Sequence, residues 1–347
     1  MPSTIGIVAS HIVPEKTTVV MGANSANGWI AAFPITSYGW GTRLANPISL
    51  PTNSIGNLAF SPSASALLVN WSSTPQQRLR AYQWTSSGFG SAYTSVSGTF
   101  GNRPIFNNAS TRIIYTIQAS GANQTIARRV WSDSTGFGTE TTGTTIPGTT
   151  QQITMHPSGN SVAFAHENSP TISVFPWSDS TGFGTKYANP SPALPPDVSY
   201  SVTFNPSGNA ITMGIFGDAG IASYAWSNSS GFGTKYSDPS PSLPGSTLKT
   251  AYSPNGNDIV LAHIGSPYVT AYSWSSGFGT KYSNPTSLPA GNGNRISFTP
   301  SGTEVVVGVN GSPDLVAYAW NSGWGTKYAN PSVTPTSAEF TISPKYN

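Results

Sequence analysis

The chain has 347 residues, only 8% of them charged, and a formal net charge of +3. So small an excess exerts no strong pull on nucleic acid or on an anionic membrane surface, and no apolar run approaches the roughly 20 residues needed to cross a bilayer. Cysteine is absent, which excludes disulfides and thiolate metal ligands. The 36 Gly and 29 Pro would suit a disordered chain, but 10 Trp, 15 Tyr and 15 Phe spread from end to end argue for a packed one.

In chain order, residues 1 to 14 carry neither a basic start nor a continuous apolar stretch, so no secretory signal is expected. Residues 14 to 22, PEKTTVVMG, align without gaps to residues 300 to 308, PSGTEVVVG, which assigns the amino end a first strand of its own. A Gly-aromatic-Gly triplet then recurs seven times, centred on Trp40, Phe89, Phe137, Phe183, Phe232, Phe278 and Trp324, at spacings of 49, 48, 46, 49, 46 and 46. A steady period in the forties, written in short β-type segments with turn residues between them, is the signature of propeller blades. The expected fold is therefore all-β: one seven-bladed β-propeller with four antiparallel strands per blade. Its blades fall at about 1–51, 52–98, 99–147, 148–195, 196–244, 245–289 and 290–335, with a closing or extra strand over 337–343.

The last repeat illustrates the reading. RISFTPSG alternates apolar Ile296 and Phe298 with small or polar neighbours and turns at Pro300-Ser301-Gly302, where Pro presets φ and Gly tolerates φ > 0. TEVVVGV, rich in β-branched residues, is a second strand. LVAYAW is a third, and GWGTKYANP a fourth that ends at Pro331. A Trp precedes six of the triplets, as Trp84, Trp131, Trp177, Trp226, Trp274 and Trp320, with Ile35 in the first repeat. Two residues earlier on the same strand face stand Phe33, Tyr82, Phe175, Tyr224, Tyr272 and Tyr318, with Arg129 as the exception. A blade must bury both faces against its neighbours, and large flat side chains fill those wedges best. These aromatics are read as structural. After the seventh triplet AEFTISPKYN looks like one more first strand, so one terminus is expected to close the ring inside a shared blade and the other to lie outside it.

Catalytic and metal-binding motifs are not found: no phosphate loop, dinucleotide fingerprint or zinc spacing is present, and no cofactor or metal is expected. His166 and His263 hold the same place in different second strands, so they lie far apart around a ring and are expected to bond a turn or the next blade. His11 and His156 have no carboxylate at short spacing, which leaves a Ser-His-Asp arrangement unsupported. Two sets of polar residues stand out. Asn57, Arg103, Gln152, Ser201, Lys249 and Arg295 each lie three positions before the main apolar residue of a first strand. If that strand is innermost they ring one mouth of the central channel, where Arg103, Lys249 and Arg295 could contact an anion or an acidic partner side chain; the alternative is a solvated rim. Arg43, Lys186, Lys235, Lys281 and Lys327 lie in outer strands, where Lys discourages edge pairing.

The turns FSPSA at 60–64, FNPSG at 204–208 and FTPSG at 298–302 are similar to the first-strand turn of WD-repeat propellers, although the Gly-His and Trp-Asp signatures are missing. The whole repeat, SPYVTAYSWSSGFGTKYSNPTSLP at 266–289, resembles repeats in propeller proteins of tailed bacteriophages. That resemblance implies a non-enzymatic virion structural protein, made in the host cytoplasm without a signal peptide. It would decorate the capsid or belong to the tail, with other virion proteins as partners, no nucleic acid and no membrane insertion. A glycan-binding propeller that recognises host surface sugar through aromatic and Asn side chains between blades is the second expectation. An enzyme ranks third, because catalysis needs convergent polar groups that break the repeat, and only the channel mouth offers any. The NP element degrades in the second and third repeats, where AYTSVSG and TETTGTT replace it, from which residues 91 to 150 are expected to face a neighbouring subunit.

Overall fold

The computed structural model describes residues 17–23, 30–49, 51, 53–71, 77–98, 100, 103–118, 123–194, 197–217, 220–333 and 338–344. It is a seven-bladed β-propeller, all β, with four antiparallel strands in each blade; blade 2 adds a fifth short strand, Val96–Gly98, against its third. Blade 7 shows the plan: Gly293–Phe298, Glu304–Val309, Leu315–Trp320 and Trp324–Lys327 pair in sequence order. First strands of successive blades lie against one another, Ser199–Phe204 on Thr247–Tyr252 and that on Gly293–Phe298, so the first strand is innermost and lines the axis.

Five of the second strands are sealed between their neighbours. Residues of Ala66–Trp71, Ser161–His166, Ala210–Ile215, Asp258–His263 and Glu304–Val309 are buried throughout. Strands buried on both faces read as continuous apolar, β-branched runs rather than alternating ones, as VVVGV does. The core is thus a set of seams. At the seam of blades 4 and 5, Val174, Val202, Phe204, Ile211, Met213 and Trp226 form one cluster, and at that of blades 6 and 7 Val260, Phe298, Val305, Val307 and Trp320 form another.

The six repeat tryptophans stand in these seams at 3 to 6% exposure. Trp226 meets Phe232 of its own triplet edge-on at 5.1 Å and Phe204 at 5.4 Å. The residue two before it, Tyr224, is fully buried and donates its hydroxyl to Pro192 O at 2.7 Å. The first glycine of each triplet has a specific neighbour. Gly231 adopts φ +82, and an added Cβ would stand 3.0 Å from Tyr187 of the preceding blade. Tyr93, Tyr236, Tyr282 and Tyr328 cover the corresponding glycines of their next blades, and Leu44 covers Gly88. Positive φ favours glycine at every one of these positions, and at Gly136 and Gly231 the covering tyrosine also leaves no room for a Cβ. The recurring GFGTKY string is one half of a seam contact whose other half is the copy before it.

Ring closure differs from the expectation. Ala338–Ile342 pairs antiparallel with Thr17–Ala23, in the sheet order tail, amino strand, Ile30–Thr36, Gly39–Trp40. Both ends therefore enter blade 1, and neither described segment lies outside the ring. The alignment of residues 14–22 with 300–308 explains this: TTVVMG matches TEVVVG, a second strand, which leaves the innermost slot for the tail. Ser343 fastens the joint, its backbone N–H donating to Thr18 O at 2.8 Å and its Oγ accepting from Thr18 N–H at 2.8 Å.

The outer cations also act differently from edge guards alone. Lys235 bonds Asp238 at 2.8 Å, Lys281 bonds Asn284 at 2.9 Å, Arg43 bonds Asn46 at 2.7 Å, and Lys186 bonds Asn189. Each cation bonds the Asn or Asp that leads into Pro, three residues on. Blade 3, where the NP element is lost, instead extends its outer strand over Gly136–Ile146, eleven residues against two to five in the other blades. There Glu140 pairs with Arg129 at 2.8 Å, and Arg128 takes the tyrosine's place over Gly182, its guanidinium 5.9 Å from the Trp177 ring.

Candidate functional site at the channel mouth

Five inner strands begin with a β-bulge, between Ile55 and Asn57, Thr150 and Gln152, Ser199 and Ser201, Thr247 and Lys249, and Gly293 and Arg295. A bulge inserts a residue and re-aims the next side chain. The re-aimed residue is the polar one singled out in each repeat, and it stands opposite Asn70, Ala165, Gly214, Ala262 or Gly308 of the second strand. Arg103 reaches the same level from a left-handed conformation, φ 71, just before Pro104. Asn57 is spent on structure, donating to Pro104 O at 2.8 Å, and Ser201 Oγ accepts from Gly214 N–H at 3.2 Å.

The three cations are brought together with an acid that the sequence reading did not single out. Glu339, on the closing strand, accepts from Arg103 Nη1 at 2.9 Å and from Arg295 Nε at 2.9 Å, with a further bond from Arg295 Nη2. Its signal was present: AEFTISP aligns with NRISFTP so that Glu339 falls on Arg295 and Pro344 on Pro300. Extending the six-member ring of polar positions to the tail completes it. The acidic side chain that these arginines hold is thus the chain's own. Lys249 of blade 6 reaches back over the two preceding blades, Nζ donating to Tyr200 O of blade 5 at 3.0 Å and to Gln152 Oε1 of blade 4 at 2.7 Å.

Side chains of Arg103, Arg295 and Glu339 are 16 to 19% exposed and Lys249 is 8% exposed, so charge interactions here are weakly screened. Burial pushes the Glu339 carboxyl up, but the fields of Arg103 and Arg295 and their hydrogen bonds outweigh it and hold the carboxyl at about 2. Burial, then Arg295 and Arg103, lower the Lys249 ammonium well below the usual lysine range. Burial and Arg103 likewise lower Arg295 against the opposing pull of Glu339. Arg103 Nε is buried with no acceptor. That unsatisfied donor stands beside a second guanidinium, Arg295, on the same carboxylate, so the mouth holds two arginines against one acid. The mouth has an apolar flank as well: Tyr200 and Phe216 meet edge-on at 5.7 Å, and Phe216 is 43% exposed. A cavity of about 350 Å³ runs between the inner strands of blades 6, 7 and 1, walled by Arg295, Tyr252, Phe298, Phe340 and Ile342.

The histidines lie elsewhere. His166 bonds Asn168 O and Ser173 Oγ, and His263 bonds Ile264 O and Thr270 Oγ1, each tying a second strand to the following turn and third strand. Burial lowers both, His166 to about 4. His156 Nε2 bonds Gly208 O of the next blade at 2.8 Å; His11 lies outside the described residues. Among the described residues no group of three His, Asp or Glu is placed to hold a metal ion.

No protein-family model matches the chain, and no curated protein sequence does. Solved structures share the architecture. The periplasmic gluconolactonase of Pseudomonas aeruginosa matches with a TM-score of 0.70 at 12% identity, over 95% of this chain and 100% of its own. A protein provisionally named 6-phosphogluconolactonase from Bacteroides uniformis matches at 0.73 and 12%, over 94% and 99%. Its namesake from Bacteroides fragilis matches at 0.71 and 13%, over 99% of both chains. These likenesses are of fold.

They overturn the expectation of a non-catalytic virion scaffold and, with it, the virion location: the matched propellers are named as lactonases, and the one from Pseudomonas as periplasmic. The physical reason lies at the mouth, the one place where the sequence offered repeat-breaking polar groups: there Arg103, Lys249 and Arg295 converge, joined by Glu339 from the tail. A closed polar ring is common to propellers and carries no information about a particle. For the glycan-binding alternative, the grooves between blades give no support from their indoles. Grooves between blades 3 and 4 and between blades 6 and 7 do exist, but their indoles, Trp177 and Trp320, are 5 and 6% exposed and offer no bare ring face.

Proposed function

We propose that this chain is a hydrolase of the lactonase kind, acting on an anionic sugar lactone held at the channel mouth. The observation that carries the reading is the convergence of Arg103, Lys249 and Arg295 on the axis with the acid Glu339. The names borne by propellers of the same architecture support the reaction class. Opening a lactone moves negative charge onto the carbonyl oxygen as water adds, and fixed cationic donors in a partly dehydrated site stabilise that charge without reorganising. The guanidinium groups of Arg103 and Arg295 would supply the positive field that draws the carbonyl oxygen, or a phosphate or carboxylate on the sugar, to the mouth. Tyr200 and Phe216 would cover the apolar face of the sugar ring.

The test is lactone consumption by the purified chain, followed by hydroxamate formation against spontaneous hydrolysis, with gluconolactone and 6-phosphogluconolactone. The expected outcome is saturable turnover with a lower KM for the phosphorylated substrate, and loss of that preference in Arg103→Met. No acceleration over background with either lactone sinks the reading.

A further inference from the structure

Lys249 differs from an ordinary buried lysine in what surrounds it. Its Nζ bonds two neutral acceptors, Gln152 Oε1 from blade 4 and Tyr200 O from blade 5. Among the described residues no carboxylate lies within ion-pair distance: the salt bridges of the mouth join Glu339 to Arg103 and Arg295 instead. An ammonium group carries three donors and no acceptor. Two acceptors would leave its third proton facing a site shared with two guanidinium groups. A neutral amine carries two donors and one lone pair, so the same two oxygens use its donors and leave the lone pair free.

We propose that Lys249 is the proton acceptor of the channel mouth, a free amine positioned by Gln152 and Tyr200 to take a proton from the water that attacks an anionic lactone. This role rests on the hydrolase reading above. The charged groups facing it are Arg295 from blade 7, Arg103 from blade 3 and Glu339 from blade 1; burial and the two guanidinium groups disfavour the ammonium form, and Glu339 opposes them. In the step, water oxygen bonds to the lactone carbonyl carbon as its proton passes to the Nζ lone pair. The carbonyl electron pair moves to oxygen beside the guanidinium groups. Collapse of that intermediate breaks the ring C–O bond, and the proton on Nζ goes to the departing alkoxide. Lactone and water become the hydroxy acid, and the amine is restored. Arg103 and Arg295 cannot take this part, since guanidinium holds its proton in proteins.

The experiment is carbon-13 NMR of the full chain labelled at lysine Cε, whose shift reports the charge on Nζ, with the Lys249 signal assigned by its loss in Lys249→Met. The expected result is a Lys249 signal that passes from charged to neutral at lower pH than lysine in the same chain unfolded in urea. A signal that remains in the ammonium position until the unfolded chain titrates overturns the proposal. Kinetics give a second arm. Lys249→Met and Lys249→Arg should each lower kcat at least about 100-fold, with little change in KM, and the acidic limb of the pH profile should disappear. An Lys249→Arg enzyme that keeps its kcat overturns the base role, because arginine cannot accept the proton. An inactive wild type sinks the hydrolase reading, whereas the titration still decides whether Lys249 is a free amine at neutral pH.

Discussion

At the seam between blades 4 and 5, Tyr187 covers Gly231 and Trp226 stands edge-on between Phe204 and Phe232; at the seam between blades 6 and 7, Tyr282 covers Gly323, and Trp320 meets Phe298 and Trp324 in the same way. At the channel mouth the seven equivalent positions carry Glu339, Asn57, Arg103, Gln152, Ser201, Lys249 and Arg295. One backbone repeat thus supports two regimes. Where each blade meets the next, shape is the requirement, and shape is the same seven times, so the letters repeat. On the axis the seven side chains meet one another, and there identical residues would only duplicate or repel, so the letters diverge. Blade 3 shows the limit of the first regime. Arg128 replaces the tyrosine by laying its guanidinium over Trp177, which keeps a flat group over Gly182.

The contrast can be broken most severely at the place where both regimes meet, the closing strand. Deleting residues 337–347 removes the innermost strand of blade 1 and Glu339 together, and is expected to lower the unfolding midpoint by on the order of 10 °C in a thermal melt followed by circular dichroism. A truncated chain that melts with the wild type would show that the ring closes without its tail. At a seam, Trp226→Ala should cost about 3–5 kcal/mol in denaturant unfolding, with lactone turnover per folded molecule unchanged; a seam substitution that alters turnover while leaving stability intact would erase the distinction.

At the mouth, Glu339→Gln should cost less, about 1–3 kcal/mol, because the two arginines left unpaired keep some contact with water. Its signature is in acid. The Glu339 carboxyl sits at about 2 in the folded chain against an ordinary 4.5, so its contribution is present above pH 4.5 and is lost as pH falls towards 2. His166, held neutral to about 4 against an ordinary 6.5, acts earlier: the unfolded chain binds its proton first, and stability falls by about 3 kcal/mol between pH 6.5 and 4. Glu339→Gln should remove the lower decline and spare the upper one, and His166→Gln the reverse; unfolding titrations at fixed pH separate them. The smallest effect is expected on the outer rim, where Lys235→Ala removes a half-exposed pair with Asp238 and should change stability by less than about 0.5 kcal/mol.

Blade number, strand order within a blade and the burial of Trp84, Trp131, Trp177, Trp226, Trp274 and Trp320 were legible in the chain because each depends on neighbours within one repeat or the next. The polar positions of the mouth were legible too, as the places where the repeat is not kept. Their partners were not. Arg103 meets Glu339 across 236 residues of chain, and Lys249 meets Gln152 across 97. The resemblance of one repeat to phage propellers misdirected the function for the same reason, since a blade's letters describe how it packs and are silent on what the axis holds.

Periodic aromatics and glycines, acting through local strand and turn preferences, were sufficient to specify seven like blades. Which charges face one another was left to the closing of the ring, because only closure seats the tail beside the amino strand and carries Glu339 to the axis between Arg103 and Arg295. Pairings across a ring arise from geometry that no window of sequence contains.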